Sequence, residues 1–347
     1  MADANVLGYP TLIDIINNYG SADARAQYIQ PARILDRKCP LIRMLPMVAS
    51  NNVLSNIATR TDSLPIPGTR RWNEGVLQTA SHNTPINDPI ALFEDYSEVD
   101  KELCRIQNNP TAWRTDQDMN HIEGFRQTLE NMSWYGNIGT NPGAFNGLAT
   151  RFNNLESYPN GDTSWNPNVL NGGSTSGSVT SMWLIEFGPG KVHGIYPPNT
   201  PGGFNIEDLG EVTKENAQSL GAVSQNYLHQ VYRTHFTWFM GLQVPDERCV
   251  QRVANINPAI LSSNDFDENI LIEAINYLPD EGANPGTAIF VNRALKTQID
   301  IRAVSQKINA YTMFKPGMDV FGGRVTTFQG IPIYVAEKLL NTETVIS

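Results

Sequence analysis

The stretch WLIEFGPGKVHGIYPPNTPGGF, Trp183 to Phe204, sets five glycines and four prolines around a single lysine, Lys191, and a single histidine, His193. Its reading decides between two kinds of fold. A phosphate-cradling loop of the form GxxxxGK[ST] would make the chain a nucleotide-binding protein, whereas a run of turns would make the stretch a connection between strands. Ile185 stands where the first glycine of that loop belongs, and Val192 replaces the hydroxyl that would hold magnesium. The prolines remove backbone donors that would have pointed at phosphate oxygens. The stretch is therefore read as a turn-rich connection, with Lys191 and His193 as surface or interface groups and not ligands.

The 347 residues suffice for two domains, or for one core with long extensions. Charged residues make up 17%, against about 25% in typical soluble chains. Neutral polar residues, above all asparagine, take their place. Such groups desolvate more cheaply than charges, which suits wide polar interfaces and equally suits a β-rich extracellular protein. The net charge of −10 argues against nucleic-acid binding by the chain as a whole. Its distribution is uneven. Arg25, Arg33, Arg37, Lys38 and Arg43 face a single acid, Asp36, between Ala24 and Arg43, while Asp88 to Glu102 holds six acids and one lysine. The three cysteines are scattered, with no CxxC pair, and no secretory signal is evident, which points to synthesis in a reducing cytoplasm. No apolar run approaches the ~20 residues that span a bilayer, so no membrane partner is expected.

The clearest element is TDQDMNHIEGFRQTLENMSWY, Thr115 to Tyr135, where Met119, Ile122, Phe125, Leu129 and Met132 form one helical stripe. Thr115 and Asp118 resemble a capping pair, and Gly136 ends the helix. Before it lie short helical patches, at Leu12 to Asn17 and Ala24 to Leu35, and a hairpin signature in which VLSNIATRT and TRRWNEGVLQT flank the turn-rich SLPIPG. The hairpin carries few large apolar residues on this reading. After the helix come SMWLIEFG as a strand and a long strand pair across residues 225–256. The last third alternates: FDENILIEAINYL helical, TAIFVN a buried strand, RALKTQIDIRAVSQ helical, and RVTTFQGIPIYVAEKL two strands about Gly330. That alternation predicts a compact α+β layer.

Catalytic constellations are lacking. His229 and His235 would lie roughly 20 Å apart along a strand, too far to share one metal ion. Asp265, Asp267 and Glu268 lack the glycine and final glutamate of a calcium loop and suit a helix start. Cys249, between Arg248 and Val250, reads as a buried small hydrophobe sooner than as an activated thiol. The aromatics of YRTHFTWFM read as one side of a sheet core. No catalytic, cofactor-binding or metal-binding residue is assigned, and the chain reads as a non-enzyme.

The strings WLIEFGPGKVHGIYP, GGFNIEDLGE, WFMGLQVPDERCVQRVANI and FQGIPIYVAEKLLNTE resemble strings in the coat proteins of short-tailed phages of the epsilon-15 type. The order of parts resembles phage major capsid proteins of the Hong Kong 97-like fold. The strings cover the chain from Thr115 onward, and the first 110 residues match by architecture alone. The resemblance implies an α+β fold with an N-terminal arm (1–48) and an extended loop (49–92). A peripheral domain (93–262) would hold spine helix 115–135 and long strands 225–256, with an axial domain (263–347) and a rearranged order of segments.

By the same resemblance, the chain would assemble into hexamers and pentamers of an icosahedral shell around double-stranded DNA, in the virion. Scaffolding protein, portal and a decoration protein would be its partners. Arg60, Arg70 and Arg71 of the loop would meet Glu94, Asp95 and Glu98 of a neighbour. Arg25, Arg33, Arg37, Lys38 and Arg43 would face inward, toward scaffold and then DNA, or pair with acids of the next subunit. Two other readings stay open: a tail or decoration protein with a β-rich sugar-binding surface, suggested by tryptophans and asparagines, and a hydrolase using acids near Asp95 or Asp265.

Overall fold

The computed structural model describes residues 38–106, 110–155, 157–161, 163, 166–175, 177–200, 202–220, 223–259, 267–282, 284–305, 314–318 and 324–347. The helical patches read within the first 37 residues lie outside them. Helix α1 (Pro40–Met44) leads into strands β1 (Met47–Ala49), β2 (Ser55–Ser63), β3 (His82–Pro89) and β4 (Ala91–Asp100). Helices α2 (Lys101–Ile106), α3 (Pro110–Tyr135) and α4 (Leu148–Arg151) follow. Then come β5 (Val169–Asn171), β6 (Thr180–Glu186), β7 (His193–Tyr196), β8 (Phe204–Leu220), β9 (Val223–Gln243) and β10 (Val250–Ile256). The chain closes with α5 (Glu268–Asn276), β11 (Thr287–Val291), α6 (Arg293–Ser305), β12 (Phe314–Met318), β13 (Arg324–Phe328) and β14 (Ile331–Val335).

Among the described residues the chain forms two compact units, one from 92–128 and 203–239, the other from 38–91, 129–202 and 240–347. This division differs from the one read in the sequence. A seven-stranded sheet in the order β12-β13-β14-β11-β6-β10-β5 takes strands from both sides of the boundary drawn between residues 262 and 263. The physical reason is β11. All five of its residues are buried, so it needs a partner along each edge, and it finds β6 antiparallel and β14 parallel. The strand pair read across 225–256 is present, and its two strands lie in different sheets. β9 ends at Gln243, a 3-10 turn at Glu247–Cys249 redirects the chain, and β10 enters the seven-stranded sheet beside β6.

β6 and β10 are buried at every position, as strands covered on both faces are. On one face Met182, Leu184, Val253, Ile289 and Val291 pack with Leu271 and Ile275 of α5 and Leu295 and Ile299 of α6. On the other face Trp183 meets Trp134 and Phe152, with ring centres 5.8 and 6.3 Å away, and Trp134 also packs edge-on against Phe290.

Arg252 lies in that aromatic layer, its guanidinium 4.8 Å from the Trp183 ring. Its side chain is 4% exposed and that of Glu343 6%, with Nη2 2.9 Å from Glu343 Oε2. Nη1 donates to the Phe152 carbonyl at 2.6 Å and Nε to Ser181 Oγ at 3.0 Å. Tyr135, at the end of α3, donates its hydroxyl to Glu343 Oε1 at 2.5 Å. Burial and then Glu343 push that phenol far above its ordinary pKa. The C-terminal segment is also held by backbone bonds between Glu343 and Val179 (2.9 and 3.2 Å) and by the Asn255 amide on Ile346 (2.8 and 2.9 Å).

Helix α3 begins at Pro110, five residues before the start read in the sequence. Thr115 is interior, and its hydroxyl bonds back to the Thr111 carbonyl at 3.0 Å instead of capping. Phe125 and Leu129 are buried as expected, but Met119 is exposed, and Asp116, Glu130 and Ser133 are buried in its place. Gly136 ends the helix as read. A Cβ there would sit 2.4 Å from the Phe145 carbonyl oxygen, and one at Gly147 2.7 Å from the Gly136 nitrogen, so the returning chain crosses the helix end backbone to backbone.

In the smaller unit β8 and β9 pair antiparallel from Phe204↔Trp238 to Leu220↔Val223. Phe125, Phe204, Phe236 and Trp238 form its aromatic core, and Val99, Cys104 and Trp113 a second cluster.

Removing one partner of a buried ion pair strands the other charge, at a cost of about 3–5 kcal/mol. Arg252→Met and Glu343→Met are each expected to lose that much in urea unfolding. The double variant is expected to lose markedly less than their sum.

Candidate functional site

The hairpin of β2 and β3 pairs from Ser55↔Pro89 to Ser63↔His82, with one shift of register between Thr61 and Ser63. Its second strand is HNTPINDP, not the expected TRRWNEGVLQT, because a two-stranded ribbon tolerates Pro85 and Pro89, which a longer sheet would exclude. Three side-chain clamps fix its base. Arg60 donates to the carbonyls of Val244 (3.1 Å) and Pro245 (3.0 Å) and pairs with Glu247 at 2.7 Å. Asn56 bonds the Gln243 amide, whose oxygen lies 3.0 Å from His193 Nε2. Asp88, 5% exposed at its side chain, pairs with Arg151 at 2.7 Å, and Arg151 also reaches the Leu242 carbonyl. The base is thus locked to the segment where β9 turns toward β10.

Beyond Ser63 and His82 every residue from 64 to 81 is exposed. This tip is richer in apolar side chains than the sequence reading allowed: Leu64 is 76% exposed, Ile66 79%, Trp72 93% and Leu77 87%. Arg70 and Arg71 flank Trp72 and are exposed too; Arg70 donates to the Glu74 carbonyl at 3.4 Å. So the three loop arginines do not act alike. Arg60 is spent within the chain, and the other two are at the tip.

The acids of β4 already have partners in their own unit. Glu94 accepts from the Tyr96 hydroxyl at 2.7 Å and lies 2.7 Å from His235 Nε2, with the Tyr96 ring stacked on His235 at 4.5 Å. Tyr96 and then His235 hold the Glu94 carboxyl below its ordinary pKa. Asp95 lies 2.7 Å from His121 Nδ1. Glu98 pairs with Lys214 and, at 2.6 Å, with Arg233. Burial pushes Glu98 toward the neutral acid, but the hydrogen bonds from Lys214 and Arg233 outweigh it and keep its pKa below the usual 4.5.

Of the basic arm, Arg25, Arg33 and Arg37 lie outside the described residues. Lys38 is tied by its backbone to Glu337, with an N to Oε2 distance of 3.2 Å. Arg43 is exposed in the last turn of α1, where a cation suits the helix dipole. The residue that anchors this end of the arm is one the sequence reading passed over. Glu130 of α3, fully buried, accepts from the backbone N–H of Leu41 (3.4 Å) and Ile42 (3.2 Å) and from Trp134 Nε1 (3.1 Å). Gln243, Arg151 and Glu247 were missed likewise, since a polar residue in the sequence gives no sign of burial.

The opening stretch joins β6, β7 and β8 and is a connection, with one strand inside it. Lys191 bridges the buried Glu186 at 2.8 Å and Asp280. His193 is 4% exposed, which corrects its reading as a surface group. Burial pushes the Cys249 thiol up to about 12, so it is inert. Trp113, Trp134 and Trp183 are fully buried, which removes them from any sugar-binding surface.

A hairpin with a clamped base and a bare apolar tip, a long helix, long paired strands and a mixed α+β sheet define the Hong Kong 97-like phage capsid fold. The structure of bacteriophage Epsilon15 matches with a TM-score of 0.70 and 23% identity over 97% of both chains. The capsid of bacteriophage JBD30 matches at 11% identity over 91% of this chain and 92% of that one, with a TM-score of 0.45. No curated protein matches the sequence. The family described as major capsid protein GP7 matches residues 23–347, and the chain belongs to it. It is a shell-forming protein of the virion capsid.

Because the Glu98 pKa is lower folded than unfolded, its stabilisation is complete above the unfolded value and disappears as pH falls through the folded one. Glu98→Gln is therefore expected to lower the Tm near neutral pH, and the gap to the parent to close below about pH 4. Thermal melts across that range check it.

Proposed function

We propose that the tip at residues 64–81 docks on a neighbouring copy of this chain, in a shell of hexamers and pentamers that encloses double-stranded DNA. The exposed apolar side chains carry this reading. Leu64, Ile66, Trp72 and Leu77 have no fold-internal role, and each gains about 1.5–3 kcal/mol when fully buried. Arg70 and Arg71 then reach acids at the rim of the contact. Glu94 and Asp95 are the better candidates, with side chains 42% and 46% exposed, against 13% for Glu98. The long pair β8–β9 with α3 forms the peripheral part and the seven-stranded sheet the axial part. The role is structural, without catalysis. Trp72→Ser with Leu77→Ser should leave the subunit folded by circular dichroism while closed shells vanish from sedimentation profiles. Normal shell yield would overturn the docking role.

The basic arm supports a second part of this reading. Arg25, Arg33 and Arg37 precede Lys38 in a chain of net charge −10, so the arm is a local exception suited to scaffold and then DNA. A portal and a decoration protein complete the expected partners. Arg33→Gln with Arg37→Gln should lower the amount of scaffold co-purifying with shells. Unchanged scaffold content with weakened shells would assign these arginines to contacts between copies.

A further inference from the structure

β5 and β10 run parallel with Arg252 beside Val169, which places Gln251 beside Asn168. Leu170 and Val253, two residues on, point into the apolar core, so Asn168 and Gln251 share that face at its end. There a cavity of about 270 Å³ opens against the turn that ends α5, lined by both amides and by Arg248, Asn276, Tyr277 and Glu281. Asn168 is fully buried and Gln251 1% exposed. Neither Nδ2 nor Oδ1 of Asn168 has a partner among the described residues, nor does Oε1 of Gln251. The Asn168 backbone is fixed on both sides, its N–H donating to Ser157 (2.8 Å) and its carbonyl accepting from Arg252 (2.8 Å). These backbone bonds fix where the Asn168 side chain leaves the strand.

Their chemistry selects the ligand. An unpaired amide offers a donor and an acceptor side by side, the complement of the N–H and C=O that one extended residue presents on one side, and Gln251 adds an acceptor for a second N–H. A phosphate is disfavoured, because Arg248 is already clamped by Asp246 (3.0 and 2.8 Å) and Glu281 adds negative charge. A sugar is disfavoured, because the Tyr277 hydroxyl is committed to Glu273 at 2.6 Å and the described lining residues include no indole. The volume falls just below the ~300 Å³ at which ligand pockets begin, so it suits a short segment and not a whole cofactor.

We propose that this cavity receives a short extended main-chain segment of a second copy of this chain. The N–H and the C=O of one residue of the segment would pair with Oδ1 and Nδ2 of the Asn168 amide, and a further N–H would donate to Gln251 Oε1. The inference rests on the shell reading. Neighbouring copies held in a lattice present such a segment at high effective concentration, so a few hydrogen bonds suffice.

Shells assembled from the purified chain alone, imaged at near-atomic resolution, test it. The expected result is continuous main-chain density within hydrogen-bond distance of Asn168 and Gln251. Separate rounded water densities there would overturn it, as would a segment present only in shells that carry other proteins. Asn168→Leu with Gln251→Leu is expected to raise the subunit concentration needed for assembly about tenfold. Should no shells form, the shell reading fails, and the soluble chain still decides the cavity. Titration with N-acetylglycine N-methylamide is expected to shift the side-chain amide signals of Asn168 and Gln251, while glucose and inorganic phosphate leave them in place. No shift with the peptide probe, or a shift with glucose or phosphate instead, would refute the peptide assignment.

Discussion

Arg252 carries a charge that cannot be titrated away, on a strand buried at every position. The chain must therefore bring a carboxylate to it, and the carboxylate comes from Glu343, 91 residues later. Everything the guanidinium and its partner touch is fixed by that need. Ser181 sets β6 beside β10, the Phe152 carbonyl positions the loop after α4, and Tyr135 ties down the end of α3. A hydrophobic replacement of the pair could be as stable, but it would not specify which segments meet. On this view the ion pair fixes the placement of the C-terminal segment more than it adds stability.

The elements legible in the sequence were those whose burial is one-sided or complete. The presence and end of helix α3, the fully buried β6 and β11, and the turn between β13 and β14 at Gly330 all read correctly. β8 did not, because it is polar and largely exposed over the part whose side chains are described, so it lacks the apolar face that marks a half-buried strand. β3 did not, because two prolines argue against a strand unless it lies in a narrow ribbon. The start of α3 was misplaced because Thr115 looks like a cap and is a back-bonded interior residue. Pairing between distant strands has no local signature at all, which is why the sheet that joins β5, β6 and β10 to β11–β14 was not read in the sequence. Of the proposed docking surface, the loop was legible and its apolar tip was undervalued. The clamps at its base, Arg60 to Glu247 and Asp88 to Arg151, depend on contacts across 187 and 63 residues that no spacing rule reports.

The shortage of charge and excess of asparagine also take on a structural meaning. Asn51 bonds both the N–H and the carbonyl of Ile57 (2.9 and 2.7 Å), completing a ladder as a strand would. Asn255 does the same for Ile346, and Asn292 caps α6 through the Leu295 N–H at 2.8 Å. An amide can stand in for backbone in this way without bringing a counter-charge into a partly dry site.

That choice of residue has a chemical cost which the fold also contains. Asparagine followed by glycine loses its amide when the glycine nitrogen attacks the side-chain carbonyl, and the chain holds this dipeptide at 146–147, 160–161 and 171–172. At the first, the Gly147 nitrogen donates to the Gly136 carbonyl at 2.9 Å and the Asn146 oxygen accepts from Ile138. At the third, the Gly172 nitrogen donates to Ala254 at 2.7 Å and the Asn171 oxygen accepts from Gly173. In both places the nucleophile is occupied and the electrophile is held in a fixed rotamer. The turns that shape the molecule therefore also slow its ageing, a property that matters for a container that must stay intact through long storage outside a cell.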